Sequence, residues 1–132
     1  MTAHKAELVP VSKDSVAISG EPLAYPNSPD PEITSYIMTI PPGGKTEWMT
    51  HPVPAYVYIL EGELTVEFAA DASCKKFKAS EGFLQARSAW HRGRNDGQIE
   101  MRFLAVFSGA KDVANVVHPP KGAVIDRESG QR

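Results

Sequence analysis

The sequence has little cysteine and no strong excess of charge of either sign. Cys74 is its only cysteine, so no disulfide can form within the chain, and its neighbours lack the paired spacing of a zinc site. Lysine and arginine number 14 against 16 aspartate and glutamate residues, without a basic cluster that would suit a phosphate backbone. We therefore expect no internal disulfide and no nucleic-acid partner.

Long hydrophobic runs are also absent. No apolar stretch has the length that a bilayer requires, and the N-terminus lacks the charged start, apolar run and small-residue cleavage site of a signal peptide. We expect a soluble, cytoplasmic protein without a membrane partner, although a presequence removed before residue 1 stays open. The 132 residues suit one domain with a single core.

A helical period of apolar residues is missing, whereas proline and glycine are plentiful, at 11 and 10 residues. They separate short segments rich in β-branched and aromatic residues, most of which alternate with period two. The predicted strands are residues 33–40, 45–51, 55–60, 63–68 and 99–107. This pattern predicts an all-β fold, an antiparallel barrel or sandwich of short strands.

Turn chemistry and composition suggest how the chain is divided. Gly62 lies in "LEGEL", which predicts a hairpin turn with a positive φ at the glycine. We expect residues 1–32 to be a partly extended lead-in, residues 33–110 to form the barrel core and residues 111–132 to be a C-terminal tail.

The stretch from residue 43 to residue 62 resembles the first motif of the cupin family, written roughly G-x5-H-x-H-x3-E-x6-G. Counting from Gly43, the two histidine positions fall on Met49 and His51, the glutamate position on Ala55, and the closing glycine on Gly62. The segment "ARSAWHRGRN" is similar to the second motif. The resemblance implies an antiparallel double-stranded β-helix, which is the jelly-roll barrel of the cupins.

In metal-binding cupins, three histidines and a glutamate from the two motifs converge on one divalent ion. The resemblance therefore implies a depleted metal site at which only His51 and His91 remain. Strand alternation would put Met49 and Glu47 on the same face as His51, which makes Glu47 a candidate carboxylate ligand. Met49 is a poorer ligand that more often fills space. The cofactor stays open between none and one divalent ion of zinc, iron, manganese or nickel.

We expect His51 and His91 to share a ligand pocket with Met49, Glu47 and Gln85, although either histidine could instead bond only to a backbone carbonyl. The first functional hypothesis is a barrel that binds a small molecule and has an incomplete metal-ligand set. The alternative is a divalent-metal-dependent enzyme, of the dioxygenase, isomerase or lyase type, acting on a small organic substrate. No residue is assigned a catalytic role.

Two further expectations concern residues outside this pocket. Tyr56 and Tyr58 should face outward from the barrel, and together with the cupin resemblance they predict a homodimer. His4 and His118 match no position of either motif, and we assign them no function.

Overall fold

The computed structural model describes residues 4–121, and all of its strands pair in the antiparallel sense. The strands are β1 (Pro31–Ile40), β2 (Ala55–Glu61), β3 (Glu63–Phe68), β4 (Cys74–Lys78), β5 (Gly82–Leu84), β6 (His91–Arg94) and β7 (Met101–Ala110). They form a four-stranded sheet in the order β1-β7-β2-β5 and a three-stranded sheet in the order β4-β3-β6. The predicted all-β jelly roll is confirmed. No helix in residues 4–121 has the length and hydropathy to cross a membrane.

The core lies on the inner face of these sheets, as period-two alternation requires. Along β7, Met101, Phe103 and Phe107 are buried, while the residues between them are partly exposed. On β2 the inward positions are small or branched apolar residues, and Tyr56 and Tyr58 point away from the core. The predicted outward orientation of the two tyrosines is therefore confirmed.

Gly62 marks the point where the chain passes from one sheet to the other. Its φ is +78°, as predicted, and a Cβ at this position would lie 2.8 Å from the Met101 Cβ and 2.9 Å from the Glu100 carbonyl oxygen. The predicted hairpin is wrong, because β2 pairs with β5 and β7 whereas β3 pairs with β4 and β6. Gly62 thus lets the chain pass from one sheet to the other while packing closely against the start of β7.

The predicted strand over residues 45–51 is not a regular strand. This segment makes only isolated bridges, of which Met49 to His91 and Thr50 to Val117 flank the site described below. A chain paired only at isolated bridges does not keep the strict alternation of a continuous ladder. The side chains of residues 45–51 therefore do not follow the predicted alternation between the two faces. The strands β4, β5 and β6 were not predicted because, at 5, 3 and 4 residues, they are too short to show a period.

Segments on either side of the strands cover parts of the barrel. The Ile18 amide donates a hydrogen bond to the Leu84 carbonyl, 3.0 Å away, and the Ser12 hydroxyl bonds to that of Tyr56. At the other end, the Val117 amide and carbonyl each bond to Thr50 at 2.9 Å. Of the predicted tail, residues 122–132 lie outside the described residues.

Candidate functional site

A cavity of about 200 Å³ lies inside the barrel and is lined by residues of both sheets. Its walls are mostly apolar and include Val57, Leu64, Phe103 and Phe107. The polar residues of the lining are Tyr36, Thr46, Gln85 and the histidines His51, His91 and His118. These features describe a small pocket with a localised polar end.

His51 and His91 form that polar end. His51 precedes β2 and His91 begins β6, and the two residues are only 5% and 1% exposed. Their Nε2 atoms are 3.1 Å apart. The predicted pairing of the two histidines in one pocket therefore corresponds to the observed positions of their side chains.

The other nitrogen of each ring is bonded to the backbone. His51 Nδ1 lies 3.0 Å from the Asn115 carbonyl oxygen, and His91 Nδ1 lies 2.8 Å from that of Ala89. A carbonyl oxygen can only accept, so each Nδ1 carries the hydrogen and donates it. In the neutral rings, both Nε2 atoms are consequently acceptors, and their lone pairs face each other across a short gap.

Burial keeps these rings neutral. It lowers the pKa of His51 to about 4, with a further lowering from the neighbouring His91, while the bond to Asn115 acts in the opposite direction. Burial also lowers the pKa of His91. At neutral pH the His51 and His91 pair therefore presents lone pairs rather than positive charge.

A carboxylate outside the cavity holds the loop that supports both histidines. Glu21 accepts hydrogen bonds from the Arg87 and Ser88 amides, each 2.9 Å from its Oε1. The same loop supplies the Arg87 carbonyl, which accepts from the His51 amide at 2.9 Å, and the Ala89 carbonyl bonded to His91. Glu21 thus stabilises the backbone that orients the pair.

The other predicted pocket residues divide into two groups. Met49 and Gln85 line the same cavity as the histidines, and the Gln85 Oε1 accepts from the Ala86 amide at 2.9 Å. Glu47 does not line it: its side chain is 82% exposed and lies outside, 3.8 Å from His118. The predicted inward orientation of Glu47 is wrong, because residues 45–51 do not follow a regular strand.

The residue at the glutamate position of the first motif does face the cavity. Ala55 lines it and is 1% exposed, so a methyl group stands where a metal-binding cupin has a carboxylate. Among residues 4–121, no group of three or more histidine, cysteine, aspartate or glutamate side chains is arranged to hold a metal ion. At the position of the motif's metal site, the described residues therefore offer two imidazole nitrogens and no neighbouring acid.

The spacing of those nitrogens nevertheless suits a shared cation. Two nitrogens bound at about 2.1 Å to one ion lie about 3.0 Å apart at an octahedral angle and about 3.4 Å apart at a tetrahedral angle, and the Nε2 atoms are 3.1 Å apart. Both rings are also oriented by bonds from Nδ1 to a carbonyl, as ligating histidines usually are. The two Nε2 atoms could therefore bind one cation whose remaining ligands come from solvent or substrate.

Sequence reasoning missed two residues of this site. His118 lies at the cavity mouth, where its Nδ1 donates to the Trp48 carbonyl at 3.1 Å. Glu21 acts on the loop from a segment that precedes the strands. No local signal marks either residue, because both reach the site through contacts between distant parts of the chain.

Asn95, the last residue of the "ARSAWHRGRN" segment, has a structural role. It is 1% exposed, and its amide nitrogen donates to the carbonyls of Ile40 and Ile99 at 3.0 and 2.7 Å. These bonds connect the end of β1 to the segment that leads into β7. Asn95 therefore closes the barrel and does not contact the cavity.

Comparison with known proteins agrees with this architecture. The family model of the cupin domain matches residues 36–107. The oxalate decarboxylase of Lactobacillus farciminis, solved as a formate complex, is 26% identical with a TM-score of 0.57, over 67% of this chain and 27% of that chain. A Bacillus subtilis oxalate decarboxylase is 24% identical with a TM-score of 0.54, over 65% of this chain and 23% of that chain.

A third solved structure is closer in size. The cupin 2 domain-containing protein of Halorhodospira halophila is 20% identical with a TM-score of 0.56, over 70% of this chain and 62% of that chain. No curated protein matches the sequence. The chain thus spans about a quarter of the length of the decarboxylases, and its likeness to all three is one of fold. With a family match over more than half of its residues and a jelly-roll barrel around the two motifs, the chain belongs to the cupin family.

Proposed function

We propose that this cupin binds a small organic molecule in its barrel cavity, with His51 and His91 contacting the polar group of the ligand. The observation that carries this proposal is the combination of an apolar cavity of about 200 Å³ and two buried acceptor nitrogens at one end. Ligand pockets typically combine apolar walls with a few fixed polar groups. Drug-sized ligands need at least about 300 Å³, so the ligand is smaller.

A second candidate function is a metal-dependent enzyme, and the 3.1 Å spacing of the Nε2 atoms supports it. His51 and His91 would hold one divalent ion, and Gln85, Thr46 and His118 are further polar residues that line the cavity. A bound ion would supply Lewis-acid polarisation of a substrate oxygen. The Bacillus subtilis oxalate decarboxylase is described with Mn(II) centres. The missing acid at Ala55 favours the first function, because it leaves the ion with few protein ligands.

Metal analysis distinguishes the two candidates. Untagged protein would be analysed by mass spectrometry for zinc, iron, manganese and nickel, alongside His51→Ala and His91→Ala. His4→Ala is the matched control, because His4 is exposed and does not line the cavity. Binding without catalysis predicts substoichiometric metal in all four proteins. A near-stoichiometric metal that is lost in both pocket variants and kept in the control would contradict it and support the enzyme.

A further inference from the structure

We infer that the cavity selects an uncharged, benzene-sized compound carrying one hydroxyl group, and that it rejects the corresponding carboxylate. This inference rests on the proposed binding function and specifies its ligand class. It follows from three features of the pocket, which are its volume, the hydrogen-bonding state of its polar end and the absence of lysine and arginine from the part of its lining that the structure describes.

The walls set the size and shape of the ligand body. An apolar cavity of about 150 Å³ is sufficient for benzene, and this one measures about 200 Å³. Tyr36, Phe103 and Phe107 contribute aromatic surface to its lining, and the rings of Tyr36 and Phe107 are 5.5 Å apart. Aromatic walls favour a flat apolar body through offset or edge-to-face contacts.

The polar end of the cavity requires a hydrogen-bond donor on the ligand. Both Nδ1 hydrogens are used by the backbone, so His51 and His91 have only lone pairs to offer at their Nε2 atoms. Two facing lone pairs 3.1 Å apart are unfavourable unless a donor lies against them. A hydroxyl group can donate to one Nε2 or be shared between both, whereas a hydrocarbon leaves both acceptors unsatisfied.

Within residues 4–121, no lysine or arginine side chain lines the cavity, and His118 at its mouth is half-exposed, with the Glu47 carboxylate 3.8 Å away. Arg92 and Arg94, which follow His91 on β6, bond instead to the Glu67 carboxylate at 2.9 and 3.0 Å. A carboxylate placed against the histidine pair would lose its hydration, meet two acceptor nitrogens and find no lysine or arginine among the described lining residues, which is strongly unfavourable.

The test uses phenol, toluene and benzoate, which share a ring and differ in the group presented to the histidines. Protein stripped of metal with EDTA would be titrated at pH 7.5 while the methyl signals of Val57 and Leu64, both in the cavity wall, are followed by NMR. We expect phenol to bind about three- to tenfold more tightly than toluene, the contribution of one hydrogen bond. Benzoate should bind at least about tenfold more weakly than phenol.

A variant ties the preference to the histidines. In His51→Phe the preference for phenol over toluene should fall below the wild-type ratio, because the hydroxyl then has only the His91 Nε2 as acceptor, and His4→Phe should keep the full wild-type ratio. Benzoate binding as tightly as phenol, or toluene equalling phenol in the wild type, would overturn the ligand class while leaving the cavity as a binding site. If none of the three compounds shifts the methyl signals, the proposed binding function fails together with the inference. The wild-type comparison remains decisive even if His51→Phe does not fold.

Discussion

Glu21 is a sharp test of how the site is held, because it lies outside both sequence motifs and outside the cavity. Its carboxylate accepts from the Ser19 hydroxyl at 2.8 Å and from the Arg87 and Ser88 amides at 2.9 Å. The substitution Glu21→Gln keeps the volume of the side chain and removes its charge. We expect it to destabilise the fold by loosening the loop that precedes His91.

The size of the expected loss of stability follows from the pKa of Glu21. Burial raises this pKa, but hydrogen bonds from Ser88, Ser19 and the Arg87 amide outweigh burial and lower it from 4.5 to about 2. By linkage, such a shift corresponds to about 3 kcal/mol of stability. Partial exposure of the carboxylate to solvent reduces the expected loss to about 2 kcal/mol.

The sign of the pH dependence follows from the lowered pKa. A carboxylate whose folded pKa is depressed contributes fully above the unfolded pKa of 4.5, and its contribution is lost as pH falls toward 2. Urea denaturation of wild type and Glu21→Gln should therefore give a constant difference between pH 7 and pH 5. At pH 3 the difference should shrink to about half or less.

Glu63→Gln is the matched control, because Glu63 is exposed at the start of β3. It should change the free energy of unfolding by less than about 0.5 kcal/mol. Equal stabilities of Glu21→Gln and wild type at pH 7, or a difference that does not change between pH 5 and pH 3, would refute the assignment of Glu21 as an ionised anchor.

Three other predictions concern the crossover, the assembly and the histidine pair. Gly62→Val should lower stability by more than about 3 kcal/mol, since it combines a positive φ with a backbone clash. Gly20→Val, at φ +90° with open space around it, should cost less, and equal melting temperatures of the two variants would contradict this. Light scattering at micromolar concentration should give a dimer mass, with Tyr56 and Tyr58 at or near the interface, whereas a monomer mass would sink that expectation. Because burial lowers the pKa of His51 to about 4, the free energy of unfolding of the metal-free protein should fall as pH drops from 6.5 to 4. His51→Phe should reduce this pH dependence in denaturation experiments, and an unchanged dependence would count against a neutral pair.

The sequence by itself determined the fold and the two central side chains. Period-two alternation at Ala55, Val57 and Ile59 indicates a strand with one buried face, and a burial pattern of this kind is a local property. A positive φ at Gly62 could be predicted because only glycine adopts that conformation without strain. The motif spacing put His51, His91 and the missing acid at Ala55 in positions that all face one cavity.

Only the tertiary structure decided which other groups join them. Glu47 turned outward because its segment is held by isolated bridges instead of a continuous ladder. His118 came to the cavity mouth through the pairing of Val117 with Thr50, and Glu21 reached the loop below His91 from the N-terminal segment. Such contacts depend on the closure of the whole barrel, which no local pattern encodes. The direction of each Nε2 likewise depends on carbonyls of Asn115 and Ala89, which the fold brings to the rings.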